Sequence, residues 1–201
     1  MLSCLSIEGA IFPKTVFCDW QNQRCSAINS NDYFANKTVI LFAVPGAFAS
    51  LYSSLQALGY QKYFDLFRAN GVDDILCVSV NDPFVMQAWM QAEGIDKVHM
   101  IPDGSGEFSR QLGMIVDKRS QGMGKRSKRY SMLVRNGLIE KVFLEPDDPK
   151  DSLAVSDART MMNYINPNVE LPADAAVLLQ VWRTLLEPCK EKADSINYLD
   201  C

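Results

Sequence analysis

Apolar and polar positions alternate along the chain in blocks whose period switches between strand and helix. Val39–Val44 is an unbroken apolar run, β-branched and aromatic, as in a strand buried on both faces. Pro45-Gly46 ends it, because Pro lacks a ladder donor and Gly permits a sharp turn. A helical pattern over residues 50–68 follows, with Leu51, Leu55 and Leu58 on one stripe. Gly59 weakens it by about 1 kcal/mol relative to Ala. Asn70-Gly71 is a helix stop. Ile75–Val80 predicts a second buried strand, and Asn81 or Asp82 caps a helix with Pro83 in its first turn. Phe84, Met86, Trp89 and Met90 give that helix its apolar surface. Val98–Ile101 is a third strand, 103–106 a turn and Glu107–Leu112 a short helix. Tyr130–Val134 and Leu138–Phe143 flank Arg135-Asn136-Gly137, a hairpin signal. Ser156 is placed to cap a helix ending at Ile165.

Before this core, Thr15–Asp19 and Cys25–Ile28 read as a hairpin around Gln21-Asn22-Gln23, and Ser30-Asn31-Asp32 caps a helical turn through Phe34. After it, Ala173–Leu186 is amphipathic, with Val177, Val181 and Leu185 on one side, and Pro188 stops it. The expected organisation is an N-terminal extension over 1–30, a core domain over 31–166 and a C-terminal helical extension over 167–201. Strands alternating with helices, then a hairpin, then a helix, predict an α/β protein: a central mixed sheet with helices on both faces, as in a thioredoxin-like fold.

With 201 residues, 48% of them hydrophobic, the chain is long enough for a real core. A net charge of -4 argues against nucleic-acid binding by the whole surface. The basic run Lys118, Arg119, Lys125, Arg126, Lys128 and Arg129 is interleaved with Gly and Ser and reads as a solvated loop, an excursion over 117–128. No apolar run reaches membrane-spanning length and no signal peptide is apparent, so the expectation is a cytoplasmic protein without membrane contact. Cys4, Cys18, Cys25, Cys77, Cys189 and Cys201 form no Cys-x-x-Cys pair, and His99 is the single histidine, so neither metal nor cofactor is expected. In a reducing compartment these are free thiols.

The chemistry is sought where the first core strand runs into a helix, since free backbone N–H groups there favour an anion or a thiolate. The residues available are Ala49, Ser50, Leu51, Tyr52, Ser53 and Ser54. Pro45-Gly46-Ala47-Phe48 resembles the peroxidatic loop of the type-five peroxiredoxins, in which the same four residues precede Thr-Pro-Thr-Cys-Ser. Further matches are Ile75–Asp82, Ile101-Pro102-Asp103-Gly104, Lys128–Met132 and Glu145-Pro146, so that the resemblance spans about 31–165. In this order the set is a strong fold signal. It implies a thioredoxin-like fold, an Arg (here Arg129) lying against the reactive sulfur, and dimers formed through the loops near the active site. The Thr position is Ala49, the Pro position Ser50 and the Cys position Tyr52.

The expectation is therefore a peroxiredoxin-like protein that has lost thiol peroxidase chemistry and is retained as a binding or dimerising scaffold, with a homodimer through Phe48–Tyr52. A phenol, with a pKa near ~10, is protonated at neutral pH and cannot cycle through sulfenic acid. Its bland role is to fill space where a reactive pocket stood; the sharper one is to bind a ligand together with Pro45, Gly46, Phe48 and Arg129. Arg129 either binds a small anion or Tyr52, or pairs with an acid such as Glu145. The rival is an active thiol oxidoreductase whose sulfur comes from Cys18, Cys25, Cys189 or Cys201, with Cys18 and Cys25 facing each other across the hairpin. Cys77 reads as a core thiol, Asp103 and Glu107 as turn and cap residues.

Overall fold

A computed structural model describes residues 7–21, 24–146 and 152–171, with the backbone alone for 18–21 and 24–25. The strands β1 (Val16–Gln21) and β2 (Arg24–Asn29) pair antiparallel and lead into α1 (Ser30–Phe34). Then come β3 (Thr38–Ala43), α2 (Leu51–Lys62), α3 (Phe64–Ala69), β4 (Asp74–Ser79), α4 (Pro83–Glu93) and β5 (His99–Pro102). The second half contains α5 (Glu107–Gln111), β6 (Ile115–Asp117), β7 (Lys125–Ser127), β8 (Tyr130–Arg135), β9 (Leu138–Leu144) and α6 (Ala158–Ile165).

The central sheet has the order β5-β4-β3-β8-β9. β3 is parallel to β4 and antiparallel to β8, so the sheet is mixed as the alternation of elements predicts. Val39 to Val44 are inaccessible to solvent, which is why that segment carries no polar position. One face of the sheet packs Ile40, Phe42, Cys77 and Leu133 against residues of α2, α3, α4 and α6. The other packs Val39, Leu41, Leu76 and Met132 against Phe34 of α1, Phe108 of α5 and the N-terminal Phe12 and Phe17. The Phe12 ring lies 3.9 Å from Phe34 and 5.3 Å from Phe108, which ties the N-terminal segment into the core.

That segment also edges the sheet. Gly9 donates to the Ile139 carbonyl, Ile139 to the Ala10 carbonyl, and Phe12 to the Gly137 carbonyl. Glu8 accepts from the Val142 N–H at 3.0 Å and from Lys141 Nζ at 2.9 Å. These bonds occupy groups on β9 that an edge strand otherwise presents to other chains.

The structure departs from the sequence expectations in several places. The helix expected over 50–68 bends at Tyr63, whose ψ of 5° leaves the helical region while Phe67 still donates to its carbonyl. Of the expected leucine stripe, Leu58 is buried in the core and Leu55 packs against it, but the buried face also carries polar residues. Leu51 is exposed, whereas Ser53, Ser54, Gln56 and Tyr60 are buried. Burying those polar groups is tolerable because each has a fixed partner. Ser54 Oγ, for example, donates to Glu93 Oε1 at 2.5 Å, and Trp89 Nε1 donates to the same oxygen at 3.1 Å.

Asp82, not Asn81, caps α4. Phe84 lies outside the buried surface that Met86 and Trp89 form. Asp157 rather than Ser156 caps α6, because Ser156 Oγ is committed to Glu145. The basic excursion is a small antiparallel hairpin, β6 against β7, with one 3-10 turn over Arg119–Gln121. Arg126 pins it down through Nη1 to the Val80 carbonyl at 2.8 Å and Nε to the Met123 carbonyl at 2.7 Å. Cys18 stands opposite Ala27 and Cys25 opposite Trp20, so the two cysteines are not cross-strand partners. Cys4, Cys189, Cys201 and the amphipathic segment 173–186 lie outside the described residues.

Candidate functional site

β3 delivers the chain to the C-terminal edge of the sheet, where Pro45-Gly46 turns it. Asn81, beyond the end of β4, holds the turn by accepting from the Ala47 N–H at 3.0 Å. Gly46 has no room for a side chain: a Cβ would lie 3.0 Å from Ala49 Cβ, with Met123 Cε and Arg126 Nη1 next nearest. The β6–β7 hairpin therefore closes over this loop. Phe48 adopts a left-handed φ of 59°, uncommon for an aromatic residue. Its side chain is exposed, as are those of Leu51 and Tyr52 beside it and Phe84 on α4.

Ser50 is the N-cap of α2 and accepts from the Ser53 N–H. Its φ is -159°, an extended value that proline, fixed near about -65°, cannot adopt. The loop thus has a conformation at position 50 that the family's Pro would not allow.

Arg129, at the start of β8, comes in beneath α2 and is 3% exposed. Nη1 donates to Gln56 Oε1 at 2.9 Å; Nη2 lies 3.3 Å from Ser50 Oγ and 3.4 Å from Ser53 Oγ. Gln56 in turn donates through Nε2 to the Ser156 carbonyl and hydroxyl, at 3.1 and 3.2 Å, and to the Tyr130 carbonyl. Glu145 Oε1 collects the N–H groups of Ala154, Val155 and Ser156 and the Ser156 hydroxyl. The Glu145 carboxylate is thus joined to the guanidinium through Ser156 and Gln56, and its own N–H donates to the Arg129 carbonyl.

Tyr52 stands at the outer side of the first turn of α2. It is 38% exposed, while the hydroxyls of Ser50 and Ser53 lie within hydrogen-bond distance of the guanidinium. The reason is geometric: in the first turn of α2 residue 53 faces the sheet and residues 51 and 52 face outward. Sequence reasoning missed Gln56, although its spacing of three from Ser53 puts both on one helical face. It missed Arg126 because a basic residue in a Gly-rich run reads as solvated.

These groups give the site hydrogen-bond donors and positive charge. Neither Ser50 nor Ser53 has a histidine beside it, since His99 lies on β5. Cys77, on β4, is fully buried, and that burial pushes its thiol well above the ordinary range, only partly opposed by the charge of Arg129. Such a sulfur is inert. Among the described residues no cluster of His, Cys, Asp or Glu could hold a metal ion, and no helix is long and apolar enough to cross a membrane.

The Redoxin family matches residues 9–162. This chain belongs to that family, among the type-five peroxiredoxins. The hybrid peroxiredoxin hyPrx5 of Haemophilus influenzae is 45% identical over 172 residues, covering 86% of this chain and 71% of its own length. Peroxiredoxin sll1621 of Synechocystis is 48% identical over 152 residues, 72% of this chain and 80% of its own. Reduced Prx3 of Vibrio vulnificus, solved in complex with hydrogen peroxide, superposes with a TM-score of 0.74 at 35% identity, over 79% of this chain and 98% of that one. The antioxidant protein of Plasmodium falciparum, a 1-Cys peroxiredoxin, gives 0.75 at 30% identity, over 80% and 99%. The thioredoxin-like peroxiredoxin fold expected from the motifs is therefore established.

Proposed function

We propose that this peroxiredoxin does not reduce peroxide at residue 52 and that its loop surface serves instead for binding, with a second copy of the chain as partner. The observation that carries this reading is the exchange at the head of α2: a phenol facing outward at the motif's cysteine position, and serine hydroxyls against Arg129. A hydroxyl has no redox cycle comparable to thiolate and sulfenic acid. Phe48, Leu51, Tyr52 and Phe84 place aromatic and aliphatic surface at the same end of the sheet, a composition typical of interface cores. Binding of a small anion at Arg129 is disfavoured by its burial and by the three oxygens already around it.

Two measurements test the proposal. Stopped-flow consumption of hydrogen peroxide by the fully reduced chain should be no faster than by free cysteine. Brisk turnover would overturn the loss of chemistry and point to Cys18, Cys25, Cys189 or Cys201. Sedimentation velocity should show a dimer that Leu51→Asp dissociates; a monomer at high concentration, or a dimer indifferent to Leu51→Asp, would overturn the interface.

A further inference from the structure

A cavity of about 290 Å³ lies between α4 and β5, and none of its lining residues belongs to the residue-52 site. Its lining is mixed, and three methionines supply part of the apolar side. Met86 and Met90, four residues apart on α4, and Met100 of β5 line it together with Val98, Tyr33, Pro83 and Pro102, and Gln87 adds a neutral polar group. Met86 and Val98 are buried, while Met90 and Met100 are half-buried, so the sulfurs run from floor to rim. Methionine is flexible and polarisable and makes favourable contacts with ring edges.

The charged residues at the rim are already engaged with partners outside the cavity. Lys97 Nζ pairs with Asp65 at 2.6 Å and sits over the Phe64 ring. Asp96 accepts from Gln61 Nε2, and His99 Nε2 faces Asp74 Oδ1 at 3.6 Å. A neutral ligand can enter without disturbing these pairs, whereas a carboxylate ligand also meets Asp96 at the rim.

We infer that this cavity is a binding site for a small, uncharged, planar aromatic molecule, held by the edges and faces of its ring against Met86, Met90 and Met100. The volume is near the lower end for small-molecule sites and suits one or two fused rings. The site is independent of what residue 52 does.

The test uses the full chain labelled with ¹³C at its methionine methyls and titrated with indole, with indole-3-acetate as the charged comparison. The Met86, Met90 and Met100 methyl signals should shift together and saturate with a half-point below about 1 mM. Met123, which lies at the peroxidatic loop, should stay still. Indole-3-acetate should bind several-fold more weakly. Met90→Glu, checked for folding by its unchanged remaining methyl signals, should abolish the saturable shift. The inference is overturned by shifts that fail to saturate, by equal shifts at Met123, by tighter binding of the carboxylate, or by binding that survives Met90→Glu.

Discussion

Gln56 makes the shortest of the hydrogen bonds described for the Arg129 guanidinium, and replacing it with leucine measures what that bond contributes. Leu has nearly the shape of Gln, so packing is conserved and the polar atoms alone are removed. Two carbonyls lose a donor, but the cost there is small. The Ser156 carbonyl still accepts from Tyr60 Oη at 3.0 Å, and Tyr130 remains in register with Ala43 in the ladder. The main loss is the 2.9 Å bond to Nη1 of a buried cation. A hydrogen bond to a charged group contributes about 1.5–3 kcal/mol. The expected destabilisation lies in that range. Ser53→Ala is the control, since its contact to Nη2 is long at 3.4 Å and the effect should be below about 1 kcal/mol. Urea unfolding of both variants, followed by circular dichroism with m-values compared, supplies the numbers. Equal losses, or a larger loss for Ser53→Ala, would refute the ranking of the Gln56 bond above the Ser53 contact.

Ser50→Pro should destabilise by more than about 1 kcal/mol or remodel the loop, because the native φ of -159° is closed to proline; an unchanged urea midpoint would refute this. Gly59→Ala should stabilise by up to about 1 kcal/mol, since the added methyl would meet Ala158 Cβ at an ordinary 3.6 Å and helix propensity improves; a lowered midpoint would show that α2 and α6 are closer than described. The Glu8 carboxyl is held below the ordinary carboxylate range, first by the Val142 N–H and then by Lys141. Its folded pKa is lower than its unfolded one, so its contribution is present above the unfolded value and is lost as pH falls through the folded one. Amide exchange at Gly9 and Ile139 should therefore accelerate, relative to the core strands, as pH drops below the ordinary carboxylate range, and Glu8→Gln should remove that acid-dependent acceleration. A wild-type profile identical to that of Glu8→Gln would refute it.

The strands β3 and β4 were legible in the sequence, each within one residue, because they are buried on both faces and so carry near-continuous apolar runs. Asp82-Pro83 announced α4 by composition alone, and Asn136-Gly137 announced the β8–β9 turn, where both residues have positive φ. The inner face of α2 was not legible. Its polarity, through Ser53, Ser54 and Gln56, makes sense only once Arg129 and Glu93 arrive from distant parts of the chain. The leucine stripe located Leu55 and Leu58 on the inner side but gave no sign of the polar residues beside them. Likewise, Arg126 became a structural residue only because the Val80 carbonyl lies within its reach. The motif order gave the family; which of the residues around position 52 turns inward needed the helix phase.

The short N-terminal strap along β9 constrains how copies of this chain can meet. With Gly9 and Ala10 bonded to β9, Phe12 to Gly137 just before it and Glu8 on Val142, a neighbour cannot extend the sheet there without first peeling the strap away. At the opposite border β5 is four residues long and ends in Pro102, a poor template for another strand. Continuous sheets across subunits are thereby discouraged at both ends, and association is channelled to side-chain surfaces. A truncation beginning at residue 13 should therefore change not only stability but the geometry of self-association, opening a lateral route that the full chain keeps shut.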